Sequence, residues 1–289
     1  MTTLKPRTET RGAALLLVLW LIALLAALIG AFALTARIES LQGTVIRQGA
    51  VAREHARAGL EYALVRVADT QPKTHWMPDG RRYEWRFAGS RIAVQLIDES
   101  GKVDINQADA NLLAQLMRVR EVPEETARAL ANALLDWRDA DNLGQPQGGA
   151  EDPDYASAGL EYGAKDAPFE SLDEVRQVLG MTPDIYERIA PYLTLHSGRA
   201  MPDSTYAPGP VLLAMGLDAE RLLAQRALPP DEAGGQLVGS GSGTYSVDSH
   251  ATLHDGREAF LHAVIRAGGG PVPGSAYTVL QWEEGAPPP

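Results

Sequence analysis

The longest hydrophobic run of the chain lies near its amino terminus, between charged flanks. Residues 12–36 contain no charged side chain, and Arg11 and Arg37 stand on either side. A helix of this length, at about 1.5 Å per residue, extends roughly 37 Å, which exceeds the ~30 Å hydrocarbon core of a bilayer. Because the preceding leader is basic, the run predicts a single-pass membrane helix with its amino terminus in the cytoplasm and the remaining chain facing outward.

The apolar pattern continues beyond this run with helical spacing. No proline interrupts residues 37–69, and apolar residues recur at intervals of three, four or seven. They are Ile38, Leu41, Val45, Ala52, Ala56, Leu60, Leu64 and Val67. The pattern predicts a membrane helix over 13–36 that continues as an amphipathic spine helix over 37–70, packed against a globular head and ending before Pro72.

Alternating apolar and polar residues after this helix predict antiparallel strands. Tyr83, Trp85 and Phe87 alternate with charged residues, and a second alternating run follows them. We therefore expect a hairpin within 71–98 whose aromatic face covers the spine helix. Similar patterns return within 234–284 and predict strands that complete the same sheet.

The middle of the chain, residues 99–233, has the pattern of an inserted helical domain. Its first unit resembles a helix-hairpin-helix or SAM-like unit, in which Asn106 or Asp109 can cap the leading helix. A second unit covers 171–192, and a weaker third lies around 210–226. The hairpins lack the glycine-x-glycine sequence that presents backbone amides to a DNA phosphate, so we interpret the units as packing modules.

Together these patterns predict an α+β protein with a long amino-terminal helix, a small antiparallel sheet and an inserted all-helical domain. The tail, residues 285–289, carries no pattern. The formal net charge of -11 argues against nucleic acid as a partner, because binding to a polyanion depends on Lys and Arg. The chain has no cysteine, which excludes disulfides and thiolate chemistry.

An acidic loop within the helical region, residues 136–155, is a candidate metal site. Its carboxylates are separated by a glycine-rich stretch, and they repel one another unless a cation compensates their charge. Calcium takes six to eight oxygen ligands, whereas zinc prefers histidine and cysteine, which are absent nearby. An EF-hand is excluded, because Ala150 stands where that motif needs a glutamate. A solvated acidic loop without metal is the alternative.

The start of the hydrophobic run resembles a type IV prepilin signal. A basic leader, residues 1–12, ends in Gly12, and an unbroken apolar segment begins at Ala13. The resemblance implies that the prepilin peptidase cuts after Gly12 and that the apolar helix stays on the mature protein. The fifth mature residue is then Leu17, where most pilins carry a glutamate that pairs with the terminal ammonium of a neighbouring subunit.

Two other interpretations of the run are open. A cleaved secretory signal needs a small-x-small exit, which residues 31–33 supply, although its apolar core is usually only 7–15 residues long. An unprocessed signal anchor needs no cleavage at Gly12.

Leu17 and the acidic loop are both similar to features of the general secretion pathway protein K family, the minor pseudopilin K of type II secretion. The loop contains Asp-Trp-x-Asp-x-Asp followed by Gly-Gly-Ala-Glu-Asp. The resemblance implies a pilin-like fold, a position at the pseudopilus tip where no neighbour stands above Leu17, and bound calcium. It also implies minor pseudopilins I and J and other pseudopilus and secretion-machine subunits as partners. The candidate calcium ligands are Asp139, Asp141, Glu151, Asp152 and Asp154, with Asp136 either a further ligand or the end of the preceding helix.

Candidate catalytic groups are few. Asp248, Ser249 and His250 include the residue types of a hydrolase triad, but adjacent residues of one strand point to opposite faces. His254 and His262 are placed to face His250 across a hairpin, although packed or solvated histidines are common. We therefore predict that the protein is not an enzyme.

The sequence as a whole predicts a minor pseudopilin at the tip of a type II secretion pseudopilus. On this interpretation it is anchored in the bacterial inner membrane with a periplasmic carboxy-terminal domain, and it nucleates or caps pseudopilus assembly for export across the outer membrane. One alternative is a membrane-anchored DNA receptor of the competence type that uses the helix-hairpin-helix units. Another is an anchored hydrolase that uses the histidines and the acidic loop.

Overall fold

In the structure, a computed structural model, the chain forms two compact units. They are Met1–Val51 and Ala52–Pro289. The described residues are 11–146, 148–228, 241–268 and 276–285. The predicted leader up to residue 10, the stretch 229–240 and the end of the predicted tail lie outside them.

Seven α-helices and seven strands occur in the described residues. The helices are α1 (Arg11–Val67), α2 (Ala110–Val119), α3 (Glu124–Arg138), α4 (Asp152–Ser157), α5 (Pro183–Ile189), α6 (Gly209–Ala214) and α7 (Ala219–Ala227). The strands are β1 (Asp79–Phe87), β2 (Ser90–Asp98), β3 (Val103–Asp104), β4 (Leu193–Thr194), β5 (Thr244–Thr252), β6 (Glu258–Ala267) and β7 (Tyr277–Glu284).

The described part of the first unit, residues 11–51, is the amino-terminal part of α1 and includes its apolar run. Every side chain from residue 14 to residue 43 is exposed, and an 18-residue window of the helix has a mean hydropathy of 2.9. Among the described residues, α1 is the one helix long and apolar enough to cross a membrane. This segment can therefore serve as a single membrane anchor.

The second unit contains a five-stranded antiparallel sheet in the order β1-β2-β5-β6-β7. One face of the sheet packs on the last turns of α1, and Leu60, Ile92 and Leu261 are buried between them. The aromatic side chains of β1 join this layer as predicted, because Tyr62 of α1 stacks on Trp85 with 4.1 Å between ring centroids. The period-two pattern thus placed the correct face of the hairpin against the helix.

Helix α1 and the sheet approach most closely around Gly59. A Cβ atom at this position would contact the Ser249 hydroxyl and lie 2.7 Å from Cγ2 of Ile92. Both neighbours project from the helix-facing side of the sheet. Glycine is therefore the residue that lets these two elements pack without a gap.

The helical region is inserted between β2 and β5. Asp98 and Tyr245 are directly paired across these strands, so the chain leaves and re-enters the sheet at adjacent positions. The insert has its own buried core, which includes Leu113, Leu134 and Ile189. The short parallel pair β3–β4 joins distant parts of the insert.

The three predicted helical units are present as pairs of short helices. The first is α2 and α3, with Asp109 accepting a hydrogen bond from the Leu112 amide at 2.8 Å as the cap of α2. The second is a 3-10 helix, Leu172–Gln177, followed by α5, and the third is α6 and α7. The leading helix of the second unit is a 3-10 helix, tighter than an α-helix, and a capping box between Ser171 and Glu174 closes its amino end.

Candidate metal site in the inserted domain

Three carboxylates converge where α3 ends and α4 begins. Asp139 caps the carboxyl end of α3, Glu151 caps the amino end of α4, and Asp141 lies in the turn between them. Each offers an oxygen atom, and these atoms all lie within 4.8 Å of one another. Two oxygens on opposite sides of a calcium ion are about that far apart, because each Ca–O distance is about 2.3–2.6 Å.

Two oxygens of the cluster are buried without a partner. Asp139 Oδ1 and Glu151 Oε1 make no hydrogen bond to any residue that the structure describes. Leaving a buried acceptor unpaired costs about 1–3 kcal/mol, and more for a charged group. The donor set is all oxygen, so it fits a hard divalent cation such as calcium.

The electrostatics of the cluster indicate uncompensated negative charge. Burial, followed by the charges of Asp136, Asp139, Asp166 and Asp141, raises the pKa of Glu151 to about 7. The pKa of Asp139 is likewise raised, first by burial and then by Asp141. A bound cation would reverse both effects.

Asp136 holds the loop between α3 and α4 in place through hydrogen bonds to its backbone. Its buried carboxylate accepts hydrogen bonds from the Ala150 amide at 2.7 Å and from the Gln145 amide at 3.2 Å. Burial raises the pKa of Asp136, and these two backbone donors oppose that rise. Gly149 leaves room for the carboxylate, since a Cβ there would clash with Asp136 Oδ2. Asp136 therefore positions the backbone around the cluster.

The structure does not bring the other two predicted ligands into the cluster. Asp154 Oδ2 accepts a hydrogen bond from the Glu151 amide at 3.0 Å, which closes the first turn of α4. Asp152 is exposed and its carboxylate lies against Gly163. Both side chains are thus engaged in or near the start of α4 rather than aimed between Asp139 and Glu151.

Sequence reasoning missed one acidic neighbour, Asp166. Its charge raises the pKa of Asp139 and of Glu151, so it lies within electrostatic range of the cluster. Its backbone has φ of 54°, a left-handed conformation that Asp tolerates better than most residues. The Asp-Ala-Pro sequence gave a turn signal, but 15 residues separate Asp166 from Glu151 and no local pattern connects them.

Aromatic side chains surround the ends of the loop. Trp137, which follows Asp136 directly, packs near Tyr155, Tyr162 and Phe169 with ring centroids 6.0, 6.5 and 6.2 Å away. The indole is buried. This places an intrinsic fluorophore beside the cluster.

The other predicted site residues lie elsewhere. Helix α1 includes Gly12, Ala13 and Leu17, and Leu17 is exposed; the side chains of residues 11–13 are not described. In the sheet, Ser249 points toward Gly59 of α1, whereas Asp248 and His250 line a hollow on the opposite face.

The histidines do not gather into one site. His262 Nδ1 lies 2.6 Å from Asp248 Oδ1, and His250 stacks on Phe260. His254 is exposed in the turn between β5 and β6.

The hairpin of the first helical unit contacts the last turn of α5 in the second unit. Arg120 donates from Nε to the Arg188 carbonyl at 3.1 Å, and Arg188 donates from Nη1 to the Arg120 carbonyl at 3.3 Å. Both guanidinium groups thus bridge backbone segments of the insert.

The central part of the chain matches a family model. Residues 91–198 match the family model of type II secretion system protein K. This stretch includes β2, the carboxylate cluster and the first two helical units. The resemblance predicted from the sequence is confirmed.

Similar proteins carry the same family name. Type II secretion system protein K of Pectobacterium carotovorum is 28% identical over 208 residues, which are 65% of this chain and 63% of that protein. The protein K of Pseudomonas aeruginosa is 28% identical over 44% of this chain and 40% of that protein. The protein K of Aeromonas hydrophila is 31% identical over 38% and 37%. The chain thus spans less than two thirds of each of these relatives.

A solved structure shares the fold. A chain of the crystal structure of the GspK-GspI-GspJ complex from the type 2 secretion system of enterotoxigenic Escherichia coli superimposes with a TM-score of 0.58. The match covers 85% of this chain and 99% of the other, at 17% sequence identity. The predicted α+β, pilin-like fold is therefore confirmed.

Proposed function

We propose, on the premise that residues 91–198 match the type II secretion system protein K family, that this chain is a minor pseudopilin of such a system. The observation that carries the proposal is the joint match of the insert's sequence and of the whole fold to proteins of that system. Its work is assembly, not catalysis. Its partners are the minor pseudopilins of the I and J kinds, with which the structural relative crystallised.

The position of the subunit follows from its amino terminus and its insert. Leu17 supplies no carboxylate to pair with a neighbour, and an insert between β2 and β5 adds bulk to the head. A subunit of this kind belongs at the tip, where no further subunit is added. There it nucleates or caps the pseudopilus.

The anchor sets the location. The apolar part of α1 spans the bacterial inner membrane, the basic leader stays in the cytoplasm, and the sheet and insert lie in the periplasm. Prepilin peptidase removes the leader after Gly12.

Calcium is the proposed cofactor of the insert. Asp139, Asp141 and Glu151 would hold it, and Asp136 would hold the loop in place around it. The ion would compensate the negative charge of these carboxylates. The support is the pair of buried, unpartnered oxygens on Asp139 and Glu151.

The assembly proposal is tested by co-purification and by secretion. Full-length chain expressed with pseudopilins I and J from the same secretion system is expected to form a complex in detergent. Deleting the gene is expected to abolish export while the cargo accumulates in the periplasm. Normal export from the deletion strain, with fibres of unchanged length, would contradict the proposal; binding of duplex DNA without pseudopilin binding would favour the receptor alternative.

The calcium proposal is tested with terbium, whose luminescence Trp137 can sensitise. Adding Tb³⁺ to the calcium-free full-length chain is expected to produce emission that calcium displaces. The double variant D139N/E151Q is expected to bind about tenfold or more weakly, by loss of ligands. D152N, outside the cluster, is the matched control and is expected to bind as the wild type does. Equal binding by all three proteins would exclude this cluster.

A further inference from the structure

The outer face of the sheet, the face opposite α1, carries a group of arginines. Arg82 and Arg86 lie four residues apart on β1, and Arg91 of β2 lies directly opposite Arg86. Residues directly paired across strands share a face, so all three project to the same side. Glu84 is the carboxylate between them.

These arginines have no partner in the described part of the chain. All three are exposed, and none takes part in an ion pair with a described residue. Arg86 and Arg91 face each other as like charges, an arrangement that destabilises a sheet. In a chain with a net charge of -11, three arginines against one glutamate form a local positive surface.

A hollow lies beside the arginines. It has a volume of about 210 Å³, and its lining includes Arg82, Ala93, Gln95, Asp248, His250 and Phe260. His250 stacks on Phe260 with 4.0 Å between centroids, which gives the hollow a flat aromatic wall. His250 Nε2 lies 3.5 Å from a carboxylate oxygen of Glu258. The small side chain of Ala93 leaves the space open.

The far half of the same face is acidic. Asp248, Glu258 and Glu283 project from β5, β6 and β7 by the strand register, with Arg266 at one end. Asp248 is occupied by His262 at 2.6 Å. The face is therefore positive over β1–β2 and negative over β5–β7.

We propose that the β1–β2 half of the outer face, Arg82, Arg86 and Arg91, docks an acidic surface of a neighbouring pseudopilin. Carboxylate side chains of that neighbour accept hydrogen bonds from Arg82, at the edge of the hollow, and from Arg86 and Arg91. Charge complementarity selects this occupant: guanidinium groups without an internal partner pair strongly with carboxylates. The inference rests on the proposed function and assigns the surface that this function uses.

The test compares complexes of full-length chains in detergent. The triple variant R82E/R86E/R91E and the control R221E are each mixed with purified pseudopilins I and J at low and high salt. Arg221 is also exposed and has no ion pair in the described residues, but it lies on α7. The triple variant is expected to bind about tenfold or more weakly at low salt, because like charges then face each other, and the difference is expected to shrink in high salt. R221E is expected to bind as the wild type does.

Each other result has one meaning. If the wild type does not bind I and J, the proposed function fails. If the wild type and the triple variant bind equally, the docking surface is wrong and the proposed function stands. If the triple variant keeps the pseudopilin complex but no longer binds vesicles of anionic phospholipid, the arginines bind lipid and the inference is overturned. If it keeps the complex but no longer self-associates, they bind a second copy of the chain, and the inference is likewise overturned. The neutral variant R82Q/R86Q/R91Q separates lost charge from unfolding. If it binds the pseudopilins more weakly while its melting temperature equals that of the wild type, the loss of binding comes from charge.

Discussion

At the scale of single residues, Glu99 joins the sheet to the insert. Its buried carboxylate accepts hydrogen bonds from Thr194 of β4 and from Ser246 of β5, and Lys102 Nζ lies 2.8 Å away. Burial raises the pKa of Glu99, but Lys102 and the two hydroxyl donors together lower it below its ordinary value of 4.5. The carboxylate is thus held charged in the interior by partners from both parts of the second unit.

Replacing this carboxylate is expected to destabilise the fold. E99Q leaves Lys102 buried without a counter-charge, so we expect a loss of about 3 kcal/mol in the free energy of unfolding, measured with urea at pH 7. The double variant E99Q/K102Q, which removes both charges, is expected to lie closer to the wild type. A single variant as stable as the wild type would show that the ion pair carries no net stability.

The same group sets a pH dependence. Because the folded-state pKa of Glu99 lies below 4.5, its contribution is complete above pH 4.5 and is lost as the pH falls through the folded-state pKa. The difference in stability between the wild type and E99Q is therefore expected to shrink in that acidic range. A constant difference from pH 7 to pH 3 would contradict the assignment.

At the scale of elements, the contact between α1 and the sheet depends on one small residue. G59A adds a methyl group against Ser249 and Ile92, so we expect a loss of about 1–3 kcal/mol by overpacking. This loss exceeds the gain of up to about 1 kcal/mol that alanine brings to a helix interior.

Another glycine of the same helix provides the control. A Cβ at Gly43 meets nothing within 4 Å, so G43A is expected to leave the unfolding midpoint unchanged or raise it. Urea unfolding of both full-length variants, followed by tryptophan fluorescence, makes the comparison. Equal midpoints for G59A and G43A would show that the helix and sheet do not depend on this close approach.

The sequence predicted the elements whose periodicity is long. Helical spacing indicated the long helix, which ends at Val67, and period-two alternation indicated the hairpin and the later strands. The pair β3–β4 was missed because two residues are too few to show a period. The sequence also could not predict the partners of Glu99, since Thr194 and Ser246 lie 95 and 147 residues away along the chain.

At the scale of the whole molecule, the amino terminus decides whether the chain is processed. Prepilin cleavage predicts that the purified protein begins at Ala13, which intact-mass spectrometry measures directly. A charged replacement, G12E, is expected to keep the leader, whereas G30A, with open space around its Cβ, is expected to be processed normally. A native chain that begins at Met1 or after Ala33 would contradict the assignment.

The candidate metal site could be predicted from the sequence only in part. Clustered carboxylates identified the loop and included all three residues that converge, Asp139, Asp141 and Glu151. Composition could not separate them from Asp152 and Asp154, because adjacent residues at a helix start point in different directions. Asp166 enters through tertiary folding, which leaves no trace in local spacing.

The direct pairing of Asp98 with Tyr245 means that an entire domain occupies the place of a hairpin loop. Lengthening an already long loop costs only about 0.6 kcal/mol per doubling, so this module can be exchanged or resized over evolution while the strands beneath keep their register.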